Sequence, residues 1–106
     1  DDVSVIDLNE MRAVRRVPVG DRPVGVAFHA TENQIYVANR ESGTVSVIDA
    51  ETYESVAELE IGTYPNPVHI NDKTGLVYVS NKSARTPRGE EPKVDPRGDM
   101  VAIIRP

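Results

Sequence analysis

Side chains able to do chemistry are sparse in this chain of 106 residues and fall into two groups. The first is cationic, with an aromatic and an amide beside it: Arg22, Arg40, Tyr64, Asn66 and Lys82, then Arg85, Arg88, Lys93 and Arg97. Guanidinium and ammonium groups recognise carboxylates and phosphates, and a neighbouring Tyr offers a face on which a planar group or a base can stack. The second group is a pair of histidines, His29 and His69, the residue type suited to proton transfer or metal ligation near neutral pH. There is no Cys, which removes thiolate catalysis, disulfides and zinc–thiolate sites together. No Gly-rich phosphate loop, H-E-x-x-H or nucleophile elbow is present. No catalytic set is assembled, and neither a cofactor nor a metal is expected.

The charge balance limits the partners. Seventeen acids against 12 Lys and Arg give a net charge of −5, the wrong sign for a general nucleic-acid or anionic-membrane surface. No apolar run approaches the length of a membrane span, so no membrane insertion is expected. Hydrophobic residues at 39% suffice for packed sheets, and the lack of Trp sets the chain apart from repeats with a Trp-Asp signature.

The elements that must position these residues come from an internal repeat. Shifting the chain by 42 residues pairs 1–41 with 43–83 without a gap, and 12 of the 41 pairs are identical. Average residue usage would give roughly one in sixteen. VSVID at 3–7 returns at 45–49 and, weakened, as VAIIR at 101–105; IYVAN at 35–39 returns as VYVSN at 77–81. Between these lie short β-branched runs separated by polar turns such as HATENQ, ESG and NDKTG, with no sustained helical period. Asp7 and Asp49 read as turn formers that accept backbone N–H groups, and Asn39 and Asn81 as turn formers after their strands. Pro18 cannot donate to a ladder, which places its strand at a sheet edge. A 42-residue period of short strands predicts an all-β propeller with four-stranded antiparallel blades.

The combination Tyr36-Val37-Ala38-Asn39, Ser42-Gly43, Val45–Asp49 and Glu60-Ile61-Gly62 with Pro65 resembles the YVTN-repeat β-propeller family. The third YVTN position is Ala38 in one copy and Ser80 in the other, a mild departure. Within the family the chain looks most like the C-terminal part of YncE-like periplasmic proteins, which are seven-bladed. The resemblance implies an inner strand A at 24–28, B at 35–38, C at 45–48 and an outer D at 55–61. Residues 1–20 then supply strands C and D of one blade, 21–62 one full blade, and 63–106 strands A, B and C of a third. About two and a half blades and nine strands do not close a ring. The expectation is a fragment of a seven-bladed propeller, or one completed by oligomerisation, with the remaining blades of a parent chain or further copies covering the open faces. The resemblance also implies a periplasmic or cell-surface location.

Register breaks once. Aligning Val101 with Val45 requires 14 extra residues, an insert at 84–98 rich in Pro and Gly. From Lys82 to Gly98 five cations face three anions, a basic patch in an acidic chain. A solvated loop that touches little is the plain reading; a binding loop is the functional one. In antiparallel blades the B–C turns and D–A loops share one end, so the insert would share a face with Arg22, Arg40, Tyr64 and Asn66. His69 would lie on the inner strand near a central channel, where a buried, hydrogen-bonded structural role outweighs a ligand or acid–base one. His29 falls in the A–B turn at the opposite end. Tyr36 and Tyr78 repeat in phase and read as core residues. The function that follows is a non-catalytic binding or interaction scaffold for an unidentified ligand or protein. Two alternatives stay open: single-stranded DNA binding, reported for YncE-like proteins, and part of a lactonase- or oxidoreductase-like propeller enzyme.

Overall fold

The computed structural model describes residues 1–82 and 100–106. The expected insert at 84–98, with Arg85, Arg88, Lys93 and Arg97, lies outside the described residues. Nine strands follow one another: β1 (Asp2–Asp7), β2 (Arg12–Pro18), β3 (Pro23–His29), β4 (Gln34–Asn39), β5 (Thr44–Asp49), β6 (Ser55–Glu60), β7 (Pro65–Ile70), β8 (Val77–Asn81) and β9 (Met100–Ile104). The described residues contain no helix, and none long and apolar enough to cross a membrane. All pairings are antiparallel and join sequence neighbours, giving sheets β1-β2, β3-β4-β5-β6 and β7-β8-β9. The architecture is all-β and has the form of partial propeller blades.

The strands form because β-branched residues alternate with polar or small ones, so each sheet can bury one face or both. In the middle sheet both faces are used. One face presents Tyr36, Val45 and Val47 with Ala57 and Leu59 to the third sheet, which answers with Val68, Ile70, Val77, Val79, Ala102 and Ile104. The other face carries Ile35, Val37 and Ile48 against Val3, Val5, Val17 and Val19 of the first sheet and its flanks. Sheets packed face to face in this way bury most of β4 and β5. Tyr78 repeats the phase of Tyr36 but is only half-buried, because among the described residues no further sheet covers its face.

The repeat is visible in the backbone as well as the sequence. Met11 and Tyr53, Arg22 and Tyr64, and Asn33 and Gly75 are three pairs 42 residues apart, and every member has φ between 43° and 75°. Asp7 Oδ1 accepts the amides of Asn9 and Glu10, and Asp49 Oδ1 those of Glu51 and Thr52, as expected of turn formers. The asparagines differ from expectation. Asn39 and Asn81 are the last residues of strands and are buried, and the Asn39 amide donates inward to Thr44 Oγ1 at 3.1 Å and Ser46 Oγ at 2.8 Å. Its neighbours in the sheet and the preceding loop leave it no solvent, so it forms an interior network rather than a turn contact. Gly25 allows the inner strands to meet: a Cβ there would stand 2.5 Å from the Asn66 carbonyl oxygen in β7.

Candidate functional site

The loops at one end of the sheets collect the cationic residues. Arg22 closes the loop between β2 and β3 in the left-handed region (φ 57°), and its carbonyl accepts the Arg40 amide at 2.9 Å. Tyr64 closes the loop between β6 and β7 in the same conformation (φ 43°), and its carbonyl accepts the Lys82 amide at 3.2 Å. Each loop is thus clamped to the residue that follows the second strand of the next sheet. Ser42 Oγ adds to the first clamp by accepting the Asp21 amide at 2.6 Å. Gly43 (φ 70°) lets the turn pass beneath the next loop, its carbonyl accepting the Ile61 amide at 3.1 Å.

Between the turn joining β4 to β5 and the loop joining β6 to β7 is an open cleft of about 280 Å³, with Arg40, Glu41, Ser42 and Gly43 on one side and Gly62, Thr63 and Tyr64 on the other. The Arg40 guanidinium lies over the Tyr64 ring, 5.5 Å from its centroid. Such a stack is worth about 0.5–1 kcal/mol at an exposed site. A guanidinium held on a ring face retains N–H donors for an anion, and the ring edge beside it suits a planar group. Arg22 donates to Glu41 Oε1 at 2.8 Å, with both side chains more than half exposed. That pair contributes little to stability but supplies a local negative charge that balances Arg22.

The structure therefore brings Arg22, Arg40, Tyr64 and the Lys82 backbone to one end. Asn66 lies within β7, its carbonyl against Gly25, and does not line the cleft. His69 is exposed on the third sheet, paired in register with Tyr78, and is not the buried residue expected. The reason is the same uncovered face that exposes Tyr78. His29 holds the buried position instead, at 3% exposure. Its Nδ1 accepts the Glu32 amide at 3.2 Å, so Nε2 carries the proton and donates to the Gly75 carbonyl at 2.9 Å. This imidazole ties the turn after β3 to the turn after β7. Near it, burial and then the Glu32 charge hold the Tyr36 hydroxyl above the usual phenol range. No group of three or more His, Cys, Asp or Glu is arranged to hold a metal among the described residues.

Glu41 was not signalled as part of the site, although it directly follows Arg40. A counter-charge is recognisable only once the loop carrying Arg22 is folded onto the turn carrying Glu41.

No family model matches the sequence, and no curated protein matches it. Among solved structures, a chain of hydrazine synthase from Kuenenia stuttgartiensis, a propeller-containing protein, is similar with a TM-score of 0.70 and 26% sequence identity. The similarity covers 74% of this chain and 22% of that one. It supports a β-rich, propeller-like fold.

Proposed function

We propose that the chain is part of a YVTN-type propeller and serves as a non-catalytic binding scaffold, taking an anionic, planar ligand at the loop end of its blades. The observation that carries this reading is the Arg40 guanidinium stacked on Tyr64 at the mouth of an open cleft. Membership of the YVTN-repeat family rests on the motif and the 42-residue period, and the periplasmic or cell-surface placement rests on that membership. The likeness to a hydrazine synthase chain bears on the architecture; the 22% of that chain which is matched does not carry its activity across.

Single-stranded DNA is a second reading favoured by the same pair, since an Arg on a Tyr combines a phosphate donor with a stacking face. Titration of the full chain with an aromatic carboxylate (benzoate), inorganic phosphate and an oligodeoxythymidylate separates the two. The scaffold reading expects benzoate to bind better than phosphate, with affinity falling about tenfold in Arg40→Gln, as for loss of one charge-assisted contact. Tight oligonucleotide binding with a steep salt dependence would favour the DNA reading. Binding of none of these probes, or binding unchanged in Arg40→Gln, would sink the proposal for this cleft.

A further inference from the structure

The loop-end cleft is lined by opposite charges in consecutive positions, Arg40 and Glu41. Both amides are held by the loop ahead of β3: Arg40 donates to the Arg22 carbonyl at 2.9 Å and Glu41 to the Asp21 carbonyl at 3.2 Å. The two side chains therefore rise from a fixed stretch of backbone. Neither charge is used up. Arg40 rests its guanidinium on the Tyr64 ring and, among the described residues, has no carboxylate within ion-pair distance. Glu41 gives only Oε1 to Arg22, and its Oε2 is without a partner among the described residues. A carboxylate can accept about four hydrogen bonds, so Glu41 keeps capacity for a donor on a ligand.

A cation and a carboxylate side by side suit a ligand that carries both signs. A polyanion is drawn by a field of one sign, whereas here Glu41 follows Arg40 and Asp21 precedes Arg22. Gly43 and Gly62, also in the lining, approach so closely that a Cβ on Gly43 would stand 2.5 Å from the Gly62 carbonyl oxygen. That part of the wall is bare backbone, open to a flat ring. The volume of about 280 Å³ is at the lower limit of pockets for small organic ligands, room for one ring with a short polar arm. Because the two charged groups come from consecutive residues, the matching groups of the ligand stand close together, as in an α-amino acid. We infer that the cleft takes an aromatic α-amino acid as its zwitterion, with the carboxylate on Arg40, the ammonium on Glu41 Oε2 and the ring beside Tyr64. This inference rests on the scaffold reading above and narrows its ligand from an aromatic anion to one whose ammonium Glu41 recognises. Glu41 is then the residue that sets specificity.

The full chain is titrated with three probes that share a ring and a carboxylate. L-Phenylalanine carries the ammonium, 3-phenylpropionate lacks it, and N-acetylphenylalanine stands for a peptide C-terminus. Phenylalanine is expected to bind about fivefold tighter than the other two, the upper end for one exposed ion pair. Glu41→Gln should remove that preference while 3-phenylpropionate changes by less than about twofold. Arg22→Gln, which leaves the Glu41 carboxylate in place, should keep the preference, and Arg40→Gln should weaken all three probes. Equal binding of phenylalanine and 3-phenylpropionate, both dependent on Arg40, overturns this inference and leaves the scaffold reading standing; binding of none overturns both. A preference that survives Glu41→Gln removes Glu41 as its source. N-acetylphenylalanine matching phenylalanine assigns the cleft to a peptide C-terminus instead.

Discussion

Asn81 occupies the position of Asn39 one repeat later, but the two hydroxyls that hold the Asn39 amide are gone. Asn39 lies opposite Thr44, and Ser46 lies two pairs further along, opposite Val37; the matching partners of Asn81 and Val79 are Met100 and Ala102. At 4% exposure, Asn81 has neither its amide nitrogen nor its oxygen hydrogen-bonded among the described residues. Leaving a buried amide unpaired costs on the order of 1–3 kcal/mol. In the middle sheet the same hydroxyls pass the network on to Glu58 Oε1, at 3.3 Å from each.

Ala102→Ser restores the missing acceptor. It should raise stability by about 1 kcal/mol, read as an increase in the urea midpoint without a change in slope. The gain should disappear when Asn81 is also replaced by Ala. The reverse change, Ser46→Ala, should cost about 1–2 kcal/mol, since the Asn39 amide keeps Thr44 but loses its shorter bond.

The turn carboxylate of Asp49 sets an acid dependence. The backbone amides of Thr52 and then Glu51 hold this carboxyl below its ordinary range. The folded state therefore binds the proton less readily than the unfolded chain, whose Asp titrates near pH 3.9. The stabilisation is complete above that value and is lost as pH falls through the lower folded one. Asp49→Asn keeps an acceptor but removes the titration, so its stability should fall less between pH 5 and pH 2 than that of the parent, as followed by urea midpoints. A parallel decline in both proteins would remove Asp49 as a source of the acid limb.

What the sequence made legible was whatever repeats within one sheet. The strand positions, the Asp7 and Asp49 turns and the edge placement of the strand containing Pro18 all follow from local residue type and the 42-residue shift. Relationships between sheets were not legible in the same way. His69 looks interior until its face is found uncovered, whereas Asn81 marks a lapse of the repeat inside one sheet, because β9 carries Ala102 where β5 carries Ser46. Arg40 and Tyr64 were recognisable as residues of one end, but their stacking depends on how a loop of one sheet crosses a turn of another. Stacking of separate sheets is a tertiary property that a period along the chain does not encode.

Gly25 marks the closest approach of the inner strands, and its replacement should be costly for a reason other than strand propensity. A Cβ there meets the backbone oxygen of Asn66 at 2.5 Å, and backbone can yield only by parting β3 from β7. Gly25→Ala should destabilise by about 2 kcal/mol or more, in the range of overpacked cores. The matching position in β7 is Pro67, which is exposed, and Pro67→Ala should have an effect within about 0.5 kcal/mol, typical of surface sites. Similar losses in the two variants would show that the contact between inner strands is not the cause.

His29 performs two tasks that the repeat lets one separate. Its counterpart is Asn71, whose Oδ1 accepts the amides of Lys73 and Thr74 and so caps the equivalent turn. Asn at position 29 would keep this local cap, as the Nδ1 of His29 does for Glu32, but it is too short to replace the bond from Nε2 to the Gly75 carbonyl. His29→Asn should therefore cost about 1 kcal/mol, the net worth of one hydrogen bond, while His29→Ala should cost roughly 2–3 kcal/mol by losing the cap and opening a buried space as well. The pattern of exchange distinguishes the two losses. In His29→Asn the amides of 30–33 should stay protected while those of 72–75 open; in His29→Ala both turns should open. If Asn and Ala are equally damaging at both turns, the imidazole acts through packing alone and the bridge to Gly75 contributes nothing.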